Sequence, residues 1–178
     1  SIIDSDANGN TFANNTITTN GTSASGIYFF TAYTTASVDS TSFTNTKITT
    51  LSTNSHGIVF NGTLPYKMQF TEGIINTIDS SSNYTLFMNR TNGWVIFNNV
   101  TFNSSRIEFN GTATNISLNV SWYLDIKVND TLGMAINQSN VTALNNNSVF
   151  QFSKLTDGTG YITRQTLIEY TMNKTRRY

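Results

Sequence analysis

The chain has 178 residues, ten basic and ten acidic side chains, a formal net charge of zero and no cysteine. Charged residues make up 11% of it, well under the usual level of about a quarter, so no long-range field draws in nucleic acid or an anionic membrane. No disulfide can hold it together, yet twelve Phe, eight Tyr and two Trp are enough to build a core.

In chain order, Ser1-Ile2-Ile3 opens as though inside a strand, and no apolar run reaches the length of a membrane span. The expectation is a mature or trimmed product, or a fragment, with any membrane anchor outside it. Asp4, Asp6, Asn8 and Gly9 match the first half of a D-x-D-x-N-G calcium loop, which gathers oxygen ligands around a hard cation. Asn15 stands where the bidentate Glu belongs, and the same residues suit a turn leading into Phe12. No cofactor is expected, with calcium at Asp4, Asp6 and Asn8 as the one metal candidate.

From Phe12 the chain repeats. Phe12 to Ile17, Phe43 to Ile48, Phe70 to Ile75 and Phe97 to Phe102 each place an apolar residue five positions after a Phe. Phe29, Phe60 and Phe87 follow the first three by seventeen, and Phe109 closes a shorter fourth copy. The copies lie 31, 27 and 27 residues apart, a period that signals a solenoid or array. The segments are short, β-branched and aromatic, and broken by Asn, Gly and Ser, which favours strands over helices. Stacked short strands make a β-solenoid, predicting one internal ladder of Phe12, Phe43, Phe70 and Phe97 and a second of Phe29, Phe60, Phe87 and Phe109. Residues five apart have opposite parity on a strand, so a bend must separate them. Asn14, Asn45, Glu72 and Asn99 sit at that bend, and the Asn residues are expected to stack facing inward there.

These repeats, with phrases such as Gly9-Asn-Thr-Phe-Ala-Asn-Asn-Thr-Ile17 and His56-Gly-Ile-Val-Phe60, resemble right-handed parallel β-helix proteins of the pectate-lyase type. They resemble above all the Asn/Thr-rich copies in archaeal cell-surface and S-layer-like proteins. From about Asn119 the pattern changes. Trp122 to Val128 alternates, Asn129 to Gly133 reads as a turn, and strands are predicted over 140–144, 148–153 and 161–168. This order resembles small β-sandwiches of the carboxypeptidase-regulatory or transthyretin-like kind. The expected fold is all-β: a β-helix of about four coils over 1–117 and a small, incomplete β-sandwich over 118–178. Completion of that sandwich by a strand from another subunit or from further chain is expected.

Fifteen Asn-x-Ser/Thr triplets run through the chain, about twice the number that random order would give, and the triplet is the acceptor for N-linked sugar on exported proteins. Asn14 and Asn99 are assigned to the inward ladder. The expected carriers are Asn20, Asn61, Asn83, Asn89, Asn103, Asn110, Asn115, Asn119, Asn129, Asn137, Asn140, Asn146 and Asn173.

Catalytic groupings are sparse. Glycoside hydrolysis needs two facing carboxyls, and the acids of the repeat region (Asp4, Asp6, Asp39, Glu72, Asp79, Glu108) never recur at one repeat position. Arg90 and Arg106 have no acidic cluster beside them, and His56, the single histidine, reads as a turn residue before a strand, at the repeat position of Ser25 and Asn83. The expectation is a non-enzymatic, N-glycosylated extracellular structural protein that self-assembles into a surface layer, sheath or filament. Its partners would be copies of itself and its glycans, with no nucleic acid and no membrane span. One alternative is an adhesin or carbohydrate-binding module using Tyr28, Tyr33, Tyr66 or Trp94 as stacking platforms. The other is a β-helix polysaccharide-degrading enzyme or tail fibre, using His56 or Glu72.

Overall fold

A computed structural model describes residues 9–30, 38–62, 65–78, 81–89, 92–110, 116–175 and 177, with the side chains of residues 38–40 and 65–66 outside that description. Every regular element in it is a β-strand. The chain forms two compact units, Ser1–Trp122 with Ile168–Tyr178, and Tyr123–Leu167.

The first unit is a parallel β-solenoid of about three turns. One coil runs through β1 (Thr11–Ala13), β2 (Thr16–Thr19) and β3 (Ile27–Phe30), and the next through β4 (Val38–Thr44), β5 (Lys47–Thr50) and β6 (Ile58–Asn61). In the following coils β7 (Pro65–Thr77) and β9 (Asn92–Phe102) run straight through the bend, before β8 (Leu86–Asn89) and β10 (Ile107–Asn110). β11 (Ile116–Leu124) and β14 (Gln165–Asn173) extend the first sheet, in the order β1-β4-β7-β9-β11-β14 with β2 and β5 alongside. The second sheet has the order β10-β8-β6-β3.

The bend is where the sequence placed it. Asn14, Asn45, Glu72 and Asn99 adopt φ of 57°, 49°, 55° and 56°, the left-handed region that Asn tolerates better than most residues. Two of these residues reach the next coil through their backbone N–H groups, Asn14 N donating to Thr44 O at 3.0 Å and Asn45 N to Thr71 O at 2.8 Å. The expectation of an inward Asn ladder is overturned. Asn14, Asn45 and Glu72 are exposed, and Asn45 Nδ2 donates to Asn14 Oδ1 at 2.8 Å on the outer surface. Neighbouring backbone already satisfies the bend, so the amides are free to point out. The reason for withholding Asn14 from sugar therefore falls away, while Asn99 is half-buried.

Inside, the first ladder forms. Phe12 stacks on Phe43 at 4.9 Å and 11°, and Phe43 on Phe70 at 4.8 Å and 9°, distances set by the strand spacing itself. Phe97 meets Phe70 edge-on instead, at 5.5 Å and 83°. The register gives the reason: the column Ile17, Ile48, Ile75 ends in Phe102, whose larger ring packs against Phe97 at 5.0 Å and 77°.

The second ladder differs from expectation at its third rung. Phe29 stacks on Phe60 at 4.8 Å and 8°, but Phe60 pairs with Met88, which pairs with Phe109. Phe87 pairs with Val59. A slip of one residue sends a side chain to the opposite face, so Phe87 points outward and Met88 fills the core. The same slip sets His56 level with Tyr84 rather than Asn83, since Gly57 N donates to Tyr84 O at 2.8 Å.

The expected boundary at residue 117 is also corrected. β11 pairs in parallel with β9, matching Leu118 to Val95 and Val120 to Phe97, and both Leu118 and Val120 are buried. The chain later returns to this unit, where Tyr170 is buried and Trp122 Nε1 donates to Glu169 Oε2 at 2.6 Å.

The second unit is not two packed sheets. Among the described residues it holds one antiparallel pair, β12 (Asn140–Leu144) with β13 (Phe150–Leu155), and the isolated bridges Lys127–Tyr161 and Asn129–Ala135. Its expected final strand over 161–168 instead begins at Gln165 and runs on to Asn173. Side-chain carbonyl oxygens fold its turns: Asp130 accepts from Leu132 N and Met134 N, Asn145 from Asn147 N and Val149 N, and Asp157 from Thr159 N and Tyr161 N. These local bonds supply order where little apolar surface is covered.

Close approach between coils fixes Gly57. A Cβ there would lie 2.6 Å from Thr85 O and 2.5 Å from an Ile75 methyl, whereas at Gly21 the nearest neighbour would be Ala24 Cβ at 3.5 Å. Gly57→Ala is expected to lower stability by about 1–3 kcal/mol in urea unfolding, and Gly21→Ala by less than about 0.5 kcal/mol. Equal effects would contradict the coil register.

Candidate functional site

The outer face of the second sheet carries two columns, Tyr28, Val59, Phe87 and Glu108, then Phe30, Asn61, Asn89 and Asn110. Over its first three strands lies an open groove of about 630 Å³, walled on one side by the turns that carry Ser23, Asn54 and His56. Ser23 (φ 63°) and Asn54 (φ 55°) hold these turns in left-handed geometry.

Beneath the turns runs a buried polar column. Ala24 N donates to Ser55 Oγ at 3.1 Å, Ser55 N donates to Asn83 Oδ1 at 3.1 Å, and Asn83 Nδ2 donates to Ser52 O at 2.9 Å. Ser55 and Asn83 are both fully buried, and a satisfied network of this kind stiffens what it supports. Asn83 is thus corrected as a sugar carrier, because both ends of its amide are bonded inside the fold.

His56 is the groove's one titratable lining residue besides Tyr28 among those described. Its ring lies on Phe87 at 4.8 Å and 11°. Its Nδ1 accepts the Tyr84 backbone N–H at 3.2 Å, which leaves the ring proton on Nε2. Partial burial pushes its pKa below the ordinary 6.5, so the neutral ring is a hydrogen-bond donor at pH 7 and its Nδ1 is engaged. Nearby, Asn89 Nδ2 donates to Asn61 Oδ1 at 3.1 Å, and Asn61 Nδ2 donates to Tyr28 Oη at 2.7 Å. Tyr28, read from the sequence as a stacking platform, is brought into the groove. Trp94 is 58% exposed on the first sheet. Glu72 lines a separate hollow at the bend column, so the two candidate catalytic residues are not brought together.

Among the triplet asparagines, Asn14, Asn20, Asn103, Asn110, Asn129, Asn137, Asn140 and Asn146 are exposed, while Asn61, Asn89, Asn99, Asn119 and Asn173 are half-buried. Asn103 Oδ1 accepts both the N–H and hydroxyl of Ser105, and Asn173 Oδ1 those of Thr175, so each folds its own triplet into a turn. Asn119 Oδ1 accepts from the Thr171 hydroxyl at 2.6 Å. Asp4, Asp6, Asn8, Tyr33, Asp79, Arg90 and Asn115, and the side chains of Asp39 and Tyr66, lie outside the described residues. No group of three or more His, Cys, Asp or Glu residues suited to a metal occurs among the described residues.

The relay from Asn89 to Tyr28 was missed in the sequence because it crosses three coils. Comparison with family models, with curated proteins and with solved structures returned no match.

A depressed histidine pKa means that the unfolded chain binds the proton more tightly. The stability contributed by neutral His56 is complete above pH 6.5 and declines as pH falls below it. The depressed carboxyls of Asp125, beside Arg164, and Asp157, bonded to Thr159, titrate at lower pH and do not overlap that window. The unfolding midpoint is expected to fall from pH 7 to pH 5, and His56→Gln to flatten that fall. An unchanged pH profile in the variant would contradict the assignment.

Proposed function

We propose that this chain is a non-enzymatic, heavily N-glycosylated extracellular structural protein that self-assembles into a surface layer, sheath or filament. It would be of the archaeal cell-surface kind that its repeats resemble. The observation that carries this reading is the division of the solenoid's residues. Aromatic and aliphatic side chains fill the inside, while Asn, Thr and Ser cover much of the outside, and eight triplet asparagines stand exposed among the described residues of the chain. A stacked-coil body is stiff, and its stability comes from contacts between neighbouring coils.

Assembly has a physical route. β1, β3 and β10 are terminal strands in their sheets, and strand edges recruit further strands. A head-to-tail contact that does not close propagates as a filament or layer. Attached sugar would supply the hydration that 11% charged residues leave short and would cover the faces not used in assembly.

Negative-stain microscopy of the native material is expected to show regular polymer. Peptide mapping by mass spectrometry is expected to find sugar on Asn20, Asn103 and Asn129 and none on Asn83. A monomeric chain with bare asparagines throughout would refute the proposal.

A further inference from the structure

We propose that the groove on the outer face of the second sheet is a binding site for an uncharged glycan, held between Tyr28, His56, Phe87 and Asn89. This goes beyond the structural role and does not depend on it. Three features of the groove point to that ligand class.

The first is charge. Threonine, serine and asparagine supply most of the polar lining, and among the described residues no carboxylate, ammonium or guanidinium faces in. A charged ligand would lose its water there without gaining a counter-charge. The second is the pairing of ring with amide. Tyr28 and the His56–Phe87 stack offer flat surfaces with polar rims, matching a sugar ring with its apolar face and equatorial hydroxyls.

The third is the direction of the relay. Asn89 donates to Asn61 and Asn61 donates to Tyr28 Oη, so Tyr28 keeps its own O–H proton to give. At the other end Asn89 Oδ1 accepts from no described residue. His56 Nε2–H adds a second donor. A ligand here meets donors on one side and an acceptor on the other, and neighbouring sugar hydroxyls can serve both at once. Each link polarises the next, which strengthens both ends.

The relay also bears on Asn61 and Asn89 as carriers. Both use Nδ2, the atom that sugar would occupy, and a chain attached there would fill the groove. Both are expected to be bare in peptide mapping.

The test is calorimetric titration of the full chain with cellohexaose, mannohexaose and chitohexaose, with hexagalacturonate as the anionic counterpart. At least one neutral hexasaccharide is expected to bind with a Kd below about 1 mM, and hexagalacturonate at least about tenfold more weakly. Tyr28→Phe, which keeps the ring and removes one oxygen, and Asn89→Ala should each weaken binding about fivefold or more, while Asn103→Ala should leave it unchanged. A second arm uses N-glycans released from the native chain. Binding in that arm alone assigns the ligand to sugars on neighbouring copies, and binding in the first arm assigns it to an external polysaccharide. No binding in either arm, equal binding of hexagalacturonate, or affinity that survives both groove substitutions would overturn the site.

Discussion

Face-to-face stacking of like side chains between successive coils is the constraint on which the rest of this structure depends. There is no disulfide and ion pairs are few among the described residues, so like-on-like packing works with the inter-coil hydrogen bonds to set the register. Phe12, Phe43 and Phe70 repeat at nearly the inter-strand distance, and Phe29 on Phe60 repeats it in the second sheet. The aliphatic column Ile17, Ile48 and Ile75 runs beside them. Because hydrogen bonding fixes the step, a ring fits only if the residue above it has the same shape and rotamer. Where Phe102 breaks the aliphatic column, the aromatic one turns edge-on, so the two ladders are packed as one body.

Register in turn decides what reaches the surface. The coil that places Phe70 above Phe43 in 27 residues takes 28 to place Met88 above Phe60. The extra residue turns Phe87 outward, where it supports His56. It also brings Asn61 and Asn89 into line with each other, so the groove arises from where the slip falls. The buried Ser55–Asn83 column then holds the groove wall, and the left-handed residues at Ser23 and Asn54 give it its curve.

Much of this was legible in the sequence. The Phe12–Phe43–Phe70 spacing gave the first ladder, and the opposite parity of residues five apart located the bend at Asn14, Asn45, Glu72 and Asn99. The direction in which those asparagines point was not legible, since it depends on backbone partners supplied by the next coil. Phe87 misled because an aromatic at the expected spacing looks like a rung until the partner register is known. The boundary misled for a similar reason: the coil ending in β11 lacks the repeat Phe, with Val120 in its place. Alternation at Trp122 to Val128 suggested a sandwich strand, but β11 stops at Leu124 and Asx turns at Asp130, Asn145 and Asp157 organise the second unit beyond it. Tyr28 and His56 were visible singly. Their joint role was not, because the relay links residues on three coils.

The proposed roles share this scaffold. A column bearing outward asparagines suits the proposed glycosylated surface polymer, and the uncharged aromatic groove would give that polymer something to hold. The most direct test of the scaffold is a double-mutant cycle on the unfolding free energy, using Phe→Leu changes at Phe43 and Phe70, with Phe43 and Phe97 as the separated pair. Stacked rungs predict a coupling of about 0.5–1.5 kcal/mol for the adjacent pair and a value near zero for the separated pair. Additive effects at Phe43 and Phe70, or equal coupling in both pairs, would contradict the ladder.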